Sequence, residues 1–293
     1  MMPHSAAPRS IDHVVIASRD LAALAEEFRA LGFTVGPRNR HPWGTENHII
    51  QFDGSFIELI GVADGGGIPP HAPGVFSFGA HVRDFLADGN GMAMLAMATG
   101  NAVGDREAFR KARIGDFSVF EFERSGLNAK GKPVKVAFSL AFAAMPEAPR
   151  AAFFTCQQHF PQNFWNEAAQ KHANGVRGIA SLVMVAEDPS DTHEFLGAFL
   201  NQREMRATSF GLELSTGREK IEVLSPEAFR YRFGAAAPVV PGRGPQFAAL
   251  ILDGRADLMP NATAAGSPSR ETGGSKPFMI ELSGGAGLIG FSG

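Results

Sequence analysis

Two residues of this chain place a chemically useful side chain inside a strand-like apolar setting. His13 lies in Ile11-Asp12-His13-Val14-Val15-Ile16, and Glu58 lies in Phe56-Ile57-Glu58-Leu59-Ile60. A carboxylate between Ile57 and Leu59 must pair with a cation, bind a metal or take up a proton. The plain alternatives are a satisfied core histidine and a buried salt bridge. Glu222 and Glu281 have similar apolar neighbours, and simple solvent exposure would account for them. Asn47 and His48 stand at the entry of a strand beside Trp43 and Thr45. Neighbouring strand residues alternate faces, so only one of that pair can point to the side of Glu58.

Other candidates carry less. His41 and His81 read as solvent-facing loop residues. Cys156 shares a strand face with Phe154 and has no basic partner in view, which makes it a poor nucleophile. Arg38, Arg40, Arg83 and Arg124 suit an anionic substrate or an ordinary solvated surface. Met92, Met94 and Met97 read as core. Gly65-Gly66-Gly67 opens into Ile68-Pro69-Pro70 and not into a helix, so it is a loop and not a phosphate cradle.

The elements that must position these residues follow from periodicity. Ile11 to Ala17 is a β-branched strand. Asp20 caps a helix with the stripe Leu21, Leu24, Phe28 and Leu31, and Gly32 stops it. Phe33 to Val35 begins a second strand. Strands over 47–52 and 56–62 are joined by Asp53-Gly54, a hairpin signal. The unit is β-α-β-β-β. It returns with a strand over 179–186, a helical stripe of Phe195, Leu196 and Phe199, and strands over 210–214 and 220–224 around Gly217. Ser181 then stands where His13 does, 41 residues before Glu222 as His13 stands 45 before Glu58. A third echo, Ile280-Glu281-Leu282, falls in the last strand.

The stretch between the two copies reads the same way. It has a first strand over 92–99, a helix over 105–113, strands over 117–123 and 134–142 around an Asn128–Lys132 turn, and a fourth strand over 153–158. A final copy from Phe247 is degenerate, its middle (261–275) rich in Ala, Gly, Ser and Thr and therefore a loop. The expected fold is α+β, with four βαβββ modules in pairs, the pairs covering 9–168 and 175–293.

Composition sets the outer limits. The chain has 293 residues, 44% hydrophobic and 19% charged, with a formal net charge of −3. That balance gives no electrostatic case for nucleic acid or an anionic membrane. One cysteine permits no internal disulfide, which points to a reducing, cytoplasmic setting. The stretch 1–10 has no apolar core of a signal peptide, and no apolar run is long enough to span a membrane. Aromatic content is skewed to 25 Phe against 2 Trp and 1 Tyr, which suits covered sheets or an apolar cavity.

Ile11-Asp12-His13-Val14-Val15-Ile16 with Asp20-Leu21, then Gly44-Thr45-Glu46-Asn47-His48, then Phe56-Ile57-Glu58-Leu59-Ile60, resembles the glyoxalase-like branch of the vicinal-oxygen-chelate superfamily. Glyoxalase I, extradiol dioxygenases and bleomycin-resistance proteins share that superfamily. The resemblance covers roughly residues 11 to 165 and implies paired modules curled into open, cup-shaped mixed sheets flanked by helices. It also implies a divalent metal (Zn, Fe, Mn, Ni or Co) in the cup, with His13 and Glu58 at the two ligand positions of the first module. The second module departs from the pattern, since its first strand reads Met92-Ala93-Met94-Leu95-Ala96-Met97 without a histidine and its fourth strand has no matching glutamate. Period-two alternation places Phe153, Thr155, Gln157 and His159 on one face and Phe154 and Cys156 on the other. If the polar set faces the cup, Gln157 and His159 complete the site. Phe160 to Trp165 would then wall the cup, or else pack the module junction.

The sequence therefore leads to a metal-dependent glyoxalase-like enzyme acting on a small oxygenated organic substrate, of lyase, isomerase or dioxygenase type. His13, Glu58 and His159 are the expected metal ligands and Glu58 the catalytic group. Trp43, Asn47, His48 and Gln157 are the expected substrate contacts. The rival is a non-catalytic small-molecule binding protein of the bleomycin-resistance type, with no metal. The C-terminal half, lacking the histidine, is a structural partner or homodimer surface.

Overall fold

The computed structural model describes residues 8–63, 67–127, 131–255 and 278–292. The amino-terminal stretch 1–7, the Gly65-Gly66 pair, the Asn128 end of one hairpin turn and the segment 261–275 lie outside the described residues.

The chain begins β1 (Ile11–Ala17), α1 (Leu21–Ala30), β2 (Asn39–Arg40), β3 (Thr45–Gln51) and β4 (Phe56–Val62). After α2 (Phe78–Asp88) the order recurs as β5 (Gly91–Ala98), α3 (Ala102–Ala112), β6 (Phe120–Leu127), β7 (Pro133–Ala143) and β8 (Ala152–Gln158). These strands form one mixed sheet in the order β2-β3-β4-β1-β5-β8-β7-β6. Within each run the first and last strands pair in parallel, and β1 and β5 join the runs antiparallel. A short α4 (Pro161–Phe164) leads out of this sheet.

The second sheet follows the same plan. It contains β9 (Gly178–Val185), a 3-10 turn over Pro189–Thr192, α5 (His193–Leu200), β10 (Arg206–Thr208), β11 (Gly211–Ser215) and β12 (Lys220–Leu224). Then come α6 (Pro226–Phe233), β13 (Gln246–Asp253), β14 (Phe278–Leu282) and β15 (Gly287–Ser292), giving the order β10-β11-β12-β9-β13-β15-β14. The fold is α+β, with curled, open mixed sheets flanked by helices. No helix among the described residues is long and apolar enough to cross a membrane.

Local chemistry explains the helix starts. Asp20 accepts from Ala23 N–H ahead of α1, Asn101 from Gly104 N–H ahead of α3, and Ser77 from Ala80 N–H ahead of α2. Each satisfies one of the donors that a helix start leaves open. Gly54, at φ +80°, makes the β3–β4 turn that Asp53-Gly54 signals.

Three sequence expectations are corrected. Residues 33–35 are not a strand, because Thr34 spends its N–H on His172 Nδ1 and its hydroxyl on Lys171 O, while Phe33 packs on Phe28 and Phe52. The second strand is instead the two-residue β2. Strand β6 starts later than expected because Ser118 N–H is taken by Gly74 O, and Arg106 donates to Phe117 O. Ile280-Glu281-Leu282 lies in the edge strand β14, and the last strand is the glycine-bearing β15.

The buried apolar side chains fall into three groups. The largest joins both sheets through α1, α3 and α5, and includes Phe28, Phe109, Phe153, Phe199 and Phe247. Phe153 of β8 meets Phe195, Phe199 and Phe247 at centroid distances of 4.8, 5.3 and 5.4 Å. The second group lies inside the first curled sheet, closed at one end by α2. The third lies inside the second sheet against α6.

Phe153→Ala should cost about 3–5 kcal/mol, the usual toll for emptying a large aromatic site. Chemical denaturation should show it as one cooperative loss reported from both sheets. A second expectation concerns α2. His81 has a ring nitrogen, Nε2, without a partner among the described residues, and burial pushes its pKa down to about 4. A base whose folded pKa is depressed binds fewer protons folded than unfolded, so its share of stability is lost as pH falls from about 6.5 toward 4. Melting temperatures across that range should fall in the wild type and fall less in His81→Leu.

Candidate functional site

The curl of the first sheet brings its two ends over a common hollow. Because β1 and β4 run parallel, His13 stands beside Phe56, and Glu58 stands one pleat further along the same face, beside Val15. The two side chains therefore converge, with His13 Nε2 3.8 Å from Glu58 Oε2. Both residues are buried, at 5% and 6% exposure.

Each is held from behind. Asp12 Oδ1 lies 2.6 Å from His13 Nδ1. A carboxylate oxygen accepts, so Nδ1 carries the ring proton toward Asp12, and in the neutral ring Nε2 keeps its lone pair toward the hollow. Gln158 donates to Asp12 Oδ2 at 2.8 Å and fixes that carboxylate in turn. On the other side Asn47 donates to Glu58 Oε1, and its amide also reaches His41 Nε2 at 3.3 Å. His41 Nδ1 meets Thr45 Oγ1 at 2.8 Å, and the ring stacks on Trp43 at 4.5 Å. Burial holds the His41 pKa below its ordinary value, against the pull of Glu58 and with help from Arg124. The ring thus stays neutral and accepts from Asn47.

Aromatic side chains make the remaining walls. Phe56, Phe78, Phe122, Phe138, Phe154 and Phe164 line the hollow together with Trp43, Ile49 and Leu140. His13 is stacked on Phe56 at 4.2 Å and meets the edge of Phe154 at 5.3 Å. Gly79 of α2 lets this helix close on Trp43, since a Cβ there would stand 2.5 Å from Trp43 O. The Trp43 indole N–H, itself buried, has no partner among the described residues. The partly open cavity measures about 50 Å³. That holds a water or two, not an organic molecule, unless a ring moves.

The sequence candidates separate cleanly by face. His13, Glu58, Asn47 and Trp43 meet in the hollow. His48 points the other way and contacts Gly36 O at 2.7 Å. Gln157 and His159 do not reach the hollow. Gln157 Oε1 accepts from Ala102 N–H at the start of α3, and His159 Nε2 pairs with Ser139 Oγ at 2.7 Å. The alternation along β8 turns Phe154 and Cys156 inward, so the polar set faces out. Sequence reasoning passed over Asp12 and read His41 as solvent-facing, while Arg124 was one of four arginines it offered for an anionic substrate or a solvated surface. Strict alternation puts Asp12 on the opposite face from His13, but a register irregularity between Ile11 and His13 lets its carboxylate reach the imidazole. The one available signal was its adjacency to His13.

The donors can be tested against the divalent cation that the resemblance implies. Atoms sharing an ion through bonds of about 2.1 Å sit roughly 3.0–3.5 Å apart. The His13–Glu58 separation is near that range and could close to it. Among the described residues no third His, Cys or carboxylate groups with both of them. Counted from the helix caps Asp20 and Asn101, the second module places Met94 and Phe154 where the first has His13 and Glu58. Cys156 Sγ lies near Asp12 and His13. Burial, reinforced by Asp12 and Glu58, pushes its pKa well up. The residues supply one edge of a coordination sphere and do not fit a complete centre.

The second sheet shows the same geometry in another state. Ser181 donates to Glu222 Oε1 at 2.8 Å, and Arg232 of α6 donates to both Glu222 oxygens. There an internal guanidinium satisfies a carboxylate that is buried, not solvent-facing as its sequence setting allowed.

Comparison with known proteins agrees with this architecture. A family model described as a glyoxalase-like domain matches residues 11–200. A search of curated proteins finds no match. A hypothetical protein from Staphylococcus aureus superposes with a TM-score of 0.63 at 12% identity, over 96% of this chain and 98% of that one. A variant of 4-hydroxymandelate synthase from Streptomyces coelicolor gives 0.48 at 11%, over 86% and 74% of the two chains. The 2,2',3-trihydroxybiphenyl 1,2-dioxygenase of Sphingomonas wittichii gives 0.48 at 13%, over 98% and 91%. The chain belongs to the glyoxalase-like domain family.

Asp12→Asn should release the His13 tautomer. Its amide can donate to Nδ1, so the form protonated at Nε2 gains population, which nitrogen NMR of the imidazole reads directly. An unchanged tautomer would remove Asp12 from the site.

Proposed function

We propose that the N-terminal cup recognises a small, largely apolar organic molecule that directs an oxygen at His13 and Glu58, and that its work is to bind and sequester that molecule. One observation carries the reading. A buried imidazole nitrogen and a buried carboxylate oxygen face each other at 3.8 Å, too far for a hydrogen bond and with aromatic rings on the remaining sides. Both facing atoms accept, so a ligand with two adjacent hydroxyls can donate one proton to His13 Nε2 and the other to Glu58 Oε2. Flat rings suit the Phe walls through stacked and edge contacts. The bleomycin-resistance proteins of the superfamily are binders of this kind.

A second reading is a metal-dependent enzyme acting on a small oxygenated substrate. The Asp12–His13 contact favours it, because histidines that hold metals are commonly oriented by a carboxylate on the other ring nitrogen. Without a metal, Glu58 remains the group placed to accept a proton from a bound molecule.

Two measurements on protein purified without chelator separate these readings. Metal analysis should find no stoichiometric ion. Catechol, a flat ring with adjacent oxygens, should quench tryptophan fluorescence, and Glu58→Gln or His13→Ala should weaken it about tenfold, or 1.4 kcal/mol. About one equivalent of metal, lost in both variants, would establish the enzyme reading instead.

A further inference from the structure

Arg124 lies on β6 two residues beyond Phe122 and therefore on the same strand face. Its side chain lines the inner cavity together with His41, Asn47 and Glu58. It also lines an open groove of about 780 Å³ outside, which shares Ile49, Arg124 and Phe164 with the cavity. The guanidinium is partly buried and donates to Asn39 Oδ1 at 2.6 Å. No carboxylate among the described residues reaches ion-pair distance of it, although Glu58 acts on it from further away. Arg232, in the other sheet, shows the contrast, because both its terminal nitrogens engage Glu222.

We infer that Arg124 is an anion anchor and that the molecules the cup selects are small aromatic carboxylates. This rests on the binding function proposed above and names its ligand class. A planar guanidinium offers five donors in a fork that fits a carboxylate through two parallel bonds. Leaving that fork partly desolvated without an anion is costly, and a ligand carboxylate removes the cost. The positions agree with one molecule spanning them. A ring seated among Phe122, Phe138 and Phe164 has Arg124 beside it, and Phe122 and Phe138 already stack at 5.0 Å. The missing volume comes from the groove, on whose boundary Phe164 stands. That ring touches Phe56, Phe138 and Trp165, and it stands on the short α4 turn between the cavity and the groove. Gln162, a polar residue of the groove, suits a further hydroxyl or amide group on such a ligand.

Benzoate and benzamide, alike in shape and different in charge, test the anchor. Titrations followed by tryptophan fluorescence should show benzoate at least tenfold tighter in the wild type. Arg124→Gln should bring the two affinities together, and Arg124→Lys should restore part of the preference. Circular dichroism should show both variants folded. Equal affinities in the wild type, or a benzoate preference that survives in Arg124→Gln, would overturn the anchor while leaving the binding function standing. Failure of both probes with catechol still bound overturns the anchor alone. Failure of all three overturns the binding function on which it rests.

Discussion

The site depends on a buried polar pair that does not complete itself. His13 and Glu58 are each almost wholly removed from water, and each is fixed by a dedicated neighbour. Yet they stop 3.8 Å apart. Desolvating an imidazole and a carboxylate costs several kcal/mol unless their remaining hydrogen-bonding capacity is used. With Nδ1 protonated toward Asp12 both facing atoms are acceptors and cannot bond to each other, so a donor brought by a guest completes them. Asp12 and Asn47 hold the two groups facing the cavity, and the packing of Phe56 and Phe154 on the imidazole prevents a compensating rotation. Binding is what such an arrangement favours, because a guest with one polar end meets groups already oriented for it.

The two sheets show what the alternative looks like. In the C-terminal one, Glu222 is satisfied by Ser181 and by Arg232 from α6. That carboxylate has no capacity left to offer. In the N-terminal one, the nearest arginine, Arg124, stays short of ion-pair distance from Glu58 and faces two hollows at once. The same architecture therefore carries one closed polar cluster and one open one. Their common core, running from Phe28 through Phe153 to Phe199 and Phe247, ties the shape of the open cup to the half that lacks one.

Most of the fold was legible because its signals are local. Caps, stripes and an Asp-Gly turn announce α1, β3 and β4, and the βαβββ order repeats without long-range information. The convergence of His13 and Glu58 was legible through family resemblance, since nothing local reveals that β1 and β4 are neighbours. What failed was the facing of β8. Gln157 and His159 look like site residues because they are polar, but polarity in a strand covered on both sides does not say which side is which. Their hydrogen bonds to Ala102 and Ser139 serve α3 and β7. Asp12 was hidden by a register irregularity that breaks the alternation rule at the position where it matters. His41 was hidden because burial of a loop histidine is a tertiary property, and for the same reason nothing local set Arg124 apart from Arg38, Arg40 and Arg83.

The central claim is that a guest oxygen enters the gap between His13 and Glu58. Side-chain nitrogen NMR of histidine-labelled protein, free and saturated with catechol, tests it most directly. The His13 Nε2 resonance should move on binding while exposed His193 stays fixed. If catechol binds and the His13 resonance does not shift, the gap is not where the ligand goes, and the account of the site is wrong.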